Sequence, residues 1–193
     1  MIIGITTRLI DDYYKVNKDF IDVFKNYNCS IIGILPTNNL NNILDICTSF
    51  IIHGGKNYEE YENDIIKYAI KNNKPILGIC LGMQLMGSLY NNNLKLIGNN
   101  NHLNTLHNIN INKDSLLYKI IKKNNILVNS YHEEYLINSG IYKISSMNNN
   151  IIESIEYNKN KFNIGVQFHP EKDYKNKYMK KIFDAFIDAS NIN

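Results

Sequence analysis

The chain contains no tryptophan, three prolines, three cysteines and ten glycines in 193 residues. No apolar run approaches the ~20 residues that a membrane span requires. An odd number of cysteines at irregular spacing excludes a disulfide framework and a cysteine-built metal site. Cys29 beside a strand and Cys47 on the apolar side of a short helix read as inert buried thiols. Charge of one sign is also scarce: the net charge is +3 and the basic residues are scattered, so no groove for nucleic acid is indicated. Without such a groove, Tyr13, Tyr14 and the other tyrosines read as core or half-buried surface residues rather than a stacking platform. Met1-Ile-Ile-Gly4 lacks the basic start of a signal peptide and already reads as a strand. No repeat or linker divides the sequence. These absences describe a cytoplasmic protein with a single domain over 1–193, long enough to bury a full core.

What the chain does have in excess is asparagine and isoleucine, together more than a third of its residues. The asparagine runs at 91–93, 99–101 and 148–150 fall where turns are expected. Strands are predicted at 2–6, 29–35, 50–52 and 75–79, alternating with helices at 16–27, 40–47, 58–71 and 83–89. From residue 106 the pieces become shorter: strands at 106–111, 126–130, 142–146, 151–157 and 163–168, with helices near 115–121 and 175–189. The pattern predicts an α/β fold. A mostly parallel central sheet carries helices on both faces, and antiparallel strands are added in the C-terminal half. Ligands of such folds sit beyond the carboxyl ends of the strands, where His53-Gly54-Gly55, Cys80 and His169 fall.

Two segments carry chemistry. Residues 78–84 read Gly-Ile-Cys-Leu-Gly-Met-Gln and follow the apolar Pro75-Ile76-Leu77. A cysteine between glycines where a strand turns into a helix is placed as a nucleophile. The glycines are expected to ease the turn and let a substrate approach, and the helix end offers unpaired N–H groups to an oxyanion. Residues 165–171, Gly-Val-Gln-Phe-His-Pro-Glu, then supply a base in His169 and a group to orient it in Glu171.

The Gly-x-Cys-x-Gly-x-Gln elbow, the Gly54-Gly55 pair and the late His-Pro-Glu resemble the class I glutamine amidotransferases, a flavodoxin-like fold whose members hydrolyse γ-glutamyl amides through a Cys-His-Glu triad. Within that family, Ile3-Gly-Ile-Thr-Thr-Arg8, Val128-Asn-Ser-Tyr-His132 and Ile151-Ile-Glu-Ser-Ile-Glu156 are similar to the γ-glutamyl-γ-aminobutyrate hydrolase branch. Leu81-Gly-Met83 looks more like the glutaminase subunit of imidazole-glycerol-phosphate synthase, but the three segments outweigh it and favour the hydrolase branch. The opening Gly-Ile-Thr-x-Arg-Leu-Ile is also similar to small hydrolases that unmask a nucleotide-linked phosphoramidate in capsule-sugar modification.

The resemblance implies a catalytic set of Cys80, His169 and Glu171, and an oxyanion hole from the backbone N–H groups of Gly55 and Leu81. It assigns Gly54, Gln84, Ser130, Tyr131 and His132 to the γ-glutamyl group. It implies a small γ-glutamyl substrate and no metal or organic cofactor. A homodimer stays open, and a synthase partner follows only if the chain is an ammonia-supplying glutaminase. Glu133-Glu134 stand where the branch has His and Gln, and Lys56-Asn57 replace a longer acidic loop. With 99–104, these segments are expected to face the released amine, with Lys56 its contact if the amine is anionic. His53 reads as structural. His102 and His107, five apart in an asparagine-rich stretch, read as solvent-exposed because two imidazoles alone do not make a metal site.

Overall fold

The computed structural model describes residues 1–89, 94–96 and 102–191. Its first half alternates strand and helix as the apolar pattern requires. β1 (Ile2–Thr6) leads through a short hairpin, β2 (Arg8–Ile10) and β3 (Tyr13–Lys15), into α1 (Lys18–Phe24). Then come β4 (Ser30–Ile34), α2 (Leu40–Ile46), β5 (Ser49–Ile52), α3 (Glu60–Lys71), β6 (Ile76–Ile79) and α4 (Leu81–Ser88). After β7 (Leu94–Leu96) the chain forms β8 (Leu103–Ile111), α5 (Leu116–Ile121), β9 (Asn125–Tyr131), β10 (Glu134–Leu136), β11 (Lys143–Asn148), β12 (Ile151–Glu156) and β13 (Asn163–Val166). A 3-10 turn (Pro170–Asp173) precedes α6 (Lys177–Ser190).

Nine strands make one sheet in the order β4-β1-β5-β6-β13-β12-β11-β8-β9. The pairs from β4 to β13 are parallel, and those from β13 outward to β9 are antiparallel. The fold is therefore the α/β arrangement the alternation predicts. Strands covered on both faces read as unbroken apolar runs, and every residue of β5 and β6 is buried. One face packs Ile3, Ile5 and Leu77 against Phe20, Phe24, Phe183 and Phe186 of α1 and α6. The other packs Phe50, Ile52 and Ile76 against Ile65 and Ile66 of α3 and Met83 and Met86 of α4. Asparagine contributes at helix starts: Asn17 and Asn176 accept backbone N–H bonds that would otherwise lack partners.

Several features differ from the expectation, among them a separate antiparallel β7–β10 pair and the exposure of Tyr13. The β2–β3 hairpin replaces a plain connection, its turn made by Asp11 and Asp12 at φ 50° and 63°. His102 and His107 are not exposed: His102 is buried and the His107 side chain is 11% exposed. The asparagine runs at 91–93 and 99–101 lie outside the described residues.

Candidate active site

Register creates the site. β6 lies between β5 and β13, with Ile52 opposite Gly78 and Val166 opposite Ile79. The residues that follow each strand therefore emerge side by side. His53-Gly54-Gly55 comes on one flank, Cys80 in the middle, and Gln167 to His169 on the other. Cys80 N–H donates to Val166 O at 2.8 Å, which fastens the elbow to β13. Gln167 Nε2 reaches to 3.5 Å from Cys80 Sγ.

The strain of the turn sits on the cysteine itself, at φ 52° and ψ −108°. A non-glycine residue in that region is costly and persists only where its surroundings impose it. This revises the expected role of the glycines: neither Gly78 nor Gly82 has a positive φ. They are needed for close packing. A Cβ on Gly78 would lie 2.3 Å from Met86 Sδ, and one on Gly82 would lie 1.9 Å from Ile52 O. Gly54 is tight as well, with a Cβ there meeting His169 Cε1 at 2.7 Å and Cys80 Cβ at 3.3 Å.

His169 begins the 3-10 turn and Glu171 lies within it. His169 Nδ1 is 2.6 Å from Glu171 Oε1. Burial alone would press this imidazole down, but hydrogen bonds to Cys80 and Glu171 and the charge of both outweigh it and lift it to about 10. An imidazole held between a carboxylate and a thiol is placed to carry a proton. Its backbone is clamped by Asn129 of β9, whose side chain donates to His169 O and accepts from His169 N, both at 2.8 Å.

Arg8 braces the opposite wall. Its guanidinium donates to His53 O, to Gly54 O at 3.2 Å and to Glu62 Oε1 at 2.5 Å. A trans peptide sets N–H opposite to C=O. Carbonyls turned toward Arg8 therefore turn the N–H groups of Gly54 and Gly55 away from it. Arg8, Asn129 and Gln167 were not singled out by sequence reasoning. Each nevertheless lies inside a segment that carried it: the opening strand end, Val128 to His132, and Gly165 to Glu171.

Cys80 and His169 open onto a cleft of about 1020 Å³ that runs past Gly54, Gly55, Lys56 and Asn57 to the β2–β3 hairpin. Tyr131 lines it too, edge-on to His169 with ring centres 5.5 Å apart. The other residues assigned to the γ-glutamyl group lie behind this wall. Gln84 Nε2 donates to Glu134 O at 2.8 Å and Gln167 Oε1 at 3.2 Å. Ser130 Oγ donates to His102 O at 2.6 Å, and His132 is buried beside His102 and Glu153. Burial foremost presses His132 down to about 4, and His102 is lowered for the same reason.

His53, at the cleft wall, is the most perturbed neutral imidazole: burial first, then the charge of Arg8, press it down to about 3. Above its ordinary value of 6.5 it is neutral folded or unfolded and adds nothing to pH dependence. Between 6.5 and about 3 the unfolded chain binds a proton that the folded chain refuses, so stability falls as pH falls. His53→Asn should flatten the decline in urea midpoint between pH 7 and 4. Parallel curves for the two proteins would refute the assignment.

The family model for class I glutamine amidotransferase matches residues 8–189. Aligned over 211 positions, the chain is 30% identical to the glutamine amidotransferase-like protein YvdE of Lactococcus lactis, covering 90% of this chain and 88% of that protein. It is also 30% identical over 196 positions to a CTP synthase of Thermosipho africanus, covering 78% of this chain but 37% of that enzyme. The solved glutaminase domain of Trypanosoma brucei CTPS with bound acivicin superposes with a TM-score of 0.80 over 98% of this chain and 93% of that one. Its sequence identity is 16%, so the likeness is one of fold.

Proposed function

Because this chain belongs to the class I glutamine amidotransferase family, whose members are amide hydrolases, we propose that it hydrolyses a small γ-glutamyl amide to glutamate and an amine. The observation that carries the reading is the meeting of a strained Cys80 with the His169–Glu171 pair at one end of the cleft. In this mechanism Cys80 attacks the γ-carbonyl as thiolate while His169 holds its proton. The oxyanion is received by the N–H groups of Gly55 and Leu81, each donor worth ~3 kcal/mol. Collapse of the adduct breaks the C–N bond, and His169 returns the proton to the departing amine. Water, deprotonated by His169, then opens the thioester and frees glutamate. Glu171 orients the imidazole and stabilises its charged form.

The finer reading concerns the amine. Free glutamine releases only ammonia and does not fill a cleft of about 1020 Å³. Beyond Gly55 the cleft is lined by Lys15 and Lys56 as well as Asp11 and Glu59, while Lys172 stands over the Tyr131 ring on the His169 flank. That lining favours a leaving group that is larger and carries negative charge. A γ-glutamyl-γ-aminobutyrate-like amide and a γ-glutamyl nucleotide-linked phosphoramidate both meet this description. The second reading, a glutaminase feeding ammonia to a synthase, draws on the match to a CTP synthase.

Glutamate release from a panel of γ-glutamyl amides separates the two. The hydrolase reading expects at least a tenfold higher kcat/KM, about 1.4 kcal/mol, for a larger anionic amide than for glutamine. Equal values across the panel would overturn it in favour of the glutaminase.

A further inference from the structure

Behind the active site, three imidazoles crowd round one carboxylate. Glu153 of β12 is fully buried, and neither of its oxygens has a hydrogen-bond partner. Its Oε1 lies 2.9 Å from His107 Nε2, 3.7 Å from His102 Nε2 and 4.0 Å from His132 Nε2. The 2.9 Å approach has the distance of a hydrogen bond but not its alignment, which a rotation of the His107 ring on metal binding would supply. The ring of His102 centres 4.5 Å from that of His107 and 5.0 Å from that of His132. The residues come from three places in the chain: His102 just before β8 with His107 inside it, His132 just after β9, and Glu153 on β12.

Polar atoms left unpaired in a core cost ~1–3 kcal/mol each, and more when charged. Both nitrogens of His107, Nε2 of His132 and both oxygens of Glu153 are in this position, and His102 has at most the Asn148 side chain. One cation satisfies the inward-facing atoms together. His132 is already set for it: Nδ1 lies 2.9 Å from Glu134 O. A proton on Nδ1 leaves the Nε2 lone pair facing Glu153, the arrangement by which a backbone carbonyl fixes the tautomer of a metal-bound histidine.

From this geometry we infer that His102, His132 and Glu153 form a zinc site that ties β8 and β9 to β12, with His107 donating a hydrogen bond to the bound carboxylate. The potential ligand atoms of the first three all lie within 4.8 Å of one another. Zinc bonds of 2.0–2.1 Å in a tetrahedron place ligands about 3.3 Å apart, so the group needs to close by no more than about 1.5 Å. Two imidazoles and a carboxylate suit Zn²⁺, whereas calcium and magnesium take oxygen ligands. The site also leans on the catalytic cleft. Glu134 O, which orients His132, receives Gln84 Nε2, and Gln84 bonds Gln167, which reaches Cys80. Its metal would thus stiffen the support of the nucleophile without touching the substrate.

The test is a Zn²⁺ titration of the chelator-stripped full chain carrying Cys80→Ala, so that the Cys80 thiolate cannot join His169 in binding the ion instead. A chromophoric chelator serves as competitor. One Zn²⁺ per chain is expected, with a rise in Tm, and Co²⁺ in its place should show tetrahedral absorption bands. His107→Gln should weaken binding by about 10–100-fold, the range for an outer hydrogen-bond partner of a ligand. His132→Asn and Glu153→Gln should weaken it further. Absence of saturable binding in the parent chain would overturn the inference, even if no variant folded. Equal zinc affinity in Glu153→Gln and the parent would also overturn it, leaving a buried structural cluster.

Discussion

Cys80→Ala is expected to remove γ-glutamyl amide turnover by at least about 10⁴-fold, because loss of the nucleophile removes the covalent route and leaves only binding and the oxyanion donors. The substitution deletes one sulfur and leaves Gly54, Tyr131 and the His169–Glu171 pair in place. Affinity for γ-glutamyl compounds, measured by calorimetry, should therefore survive. Backbone strain provides an internal control. Alanine keeps the Cβ that is disfavoured at φ 52°, whereas glycine occupies that region without penalty. Cys80→Gly should be as inactive as Cys80→Ala yet more stable to urea, by the ~1–3 kcal/mol such strain costs. Labelling with a glutamine-like chloroketone should then be confined to Cys80 in the parent protein. Burial pushes Cys47 up to about 11 and raises Cys29 as well, so neither competes as a thiolate at neutral pH. Residual turnover in Cys80→Ala, or dominant labelling of Cys29 or Cys47, would remove Cys80 from the role.

Local signals carried most of this fold. The 3.6-residue spacing of Phe20, Val23 and Phe24 located α1, and the apolar stretch at 75–79 located β6 to within a residue. Strand ends next to glycines put Cys80 and the 53–55 loop at the same edge of the sheet, and the register of β5, β6 and β13 brings them side by side. Three things escaped for different physical reasons. The β2–β3 hairpin rests on strands of three residues, too short for alternation to register, although Asp11-Asp12 is a credible two-residue turn. Arg8 escaped because its partners, two backbone carbonyls 45 and 46 residues away and Glu62 on α3, lie in segments that no local pattern links to it. The histidines at 102, 107 and 132 escaped because their fourth member, Glu153, stands on another strand. The asparagine-rich surroundings of His102 and His107 read as solvent, and only their burial, with the register shift between Leu103 and Thr105, shows that both side chains turn inward.

Among the described glycines, Gly82→Ala should be the most damaging alanine substitution. The added Cβ would stand 1.9 Å from Ile52 O and 2.7 Å from Ile52 C. Those are backbone atoms of a buried parallel strand, so no side-chain rotation relieves the clash. α4 must instead lift from β5 by an ångström or more. Overpacking that ends in a side-chain shift costs ~1–3 kcal/mol. A displaced helix should reach the top of that range or exceed it, lowering Tm by about 6–12 °C in a chain of this size. Activity should fall further than stability. Ile52 leads directly into His53-Gly54-Gly55, and Gly82 follows Leu81, so the helix shift separates the two proposed oxyanion donors. A misplacement of about 1 Å is worth roughly 100-fold in rate. Gly33→Ala is the matched control: its Cβ would meet only Thr7 Cγ2 at 3.2 Å and Val16 Cγ2 at 3.4 Å, both side-chain ends that can yield. Its Tm should move by no more than a few degrees. Thermal melts and kcat/KM on the two variants decide the matter. A Gly82→Ala protein with parental Tm and rate would mean that the α4–β5 contact does not set the geometry of the nucleophile.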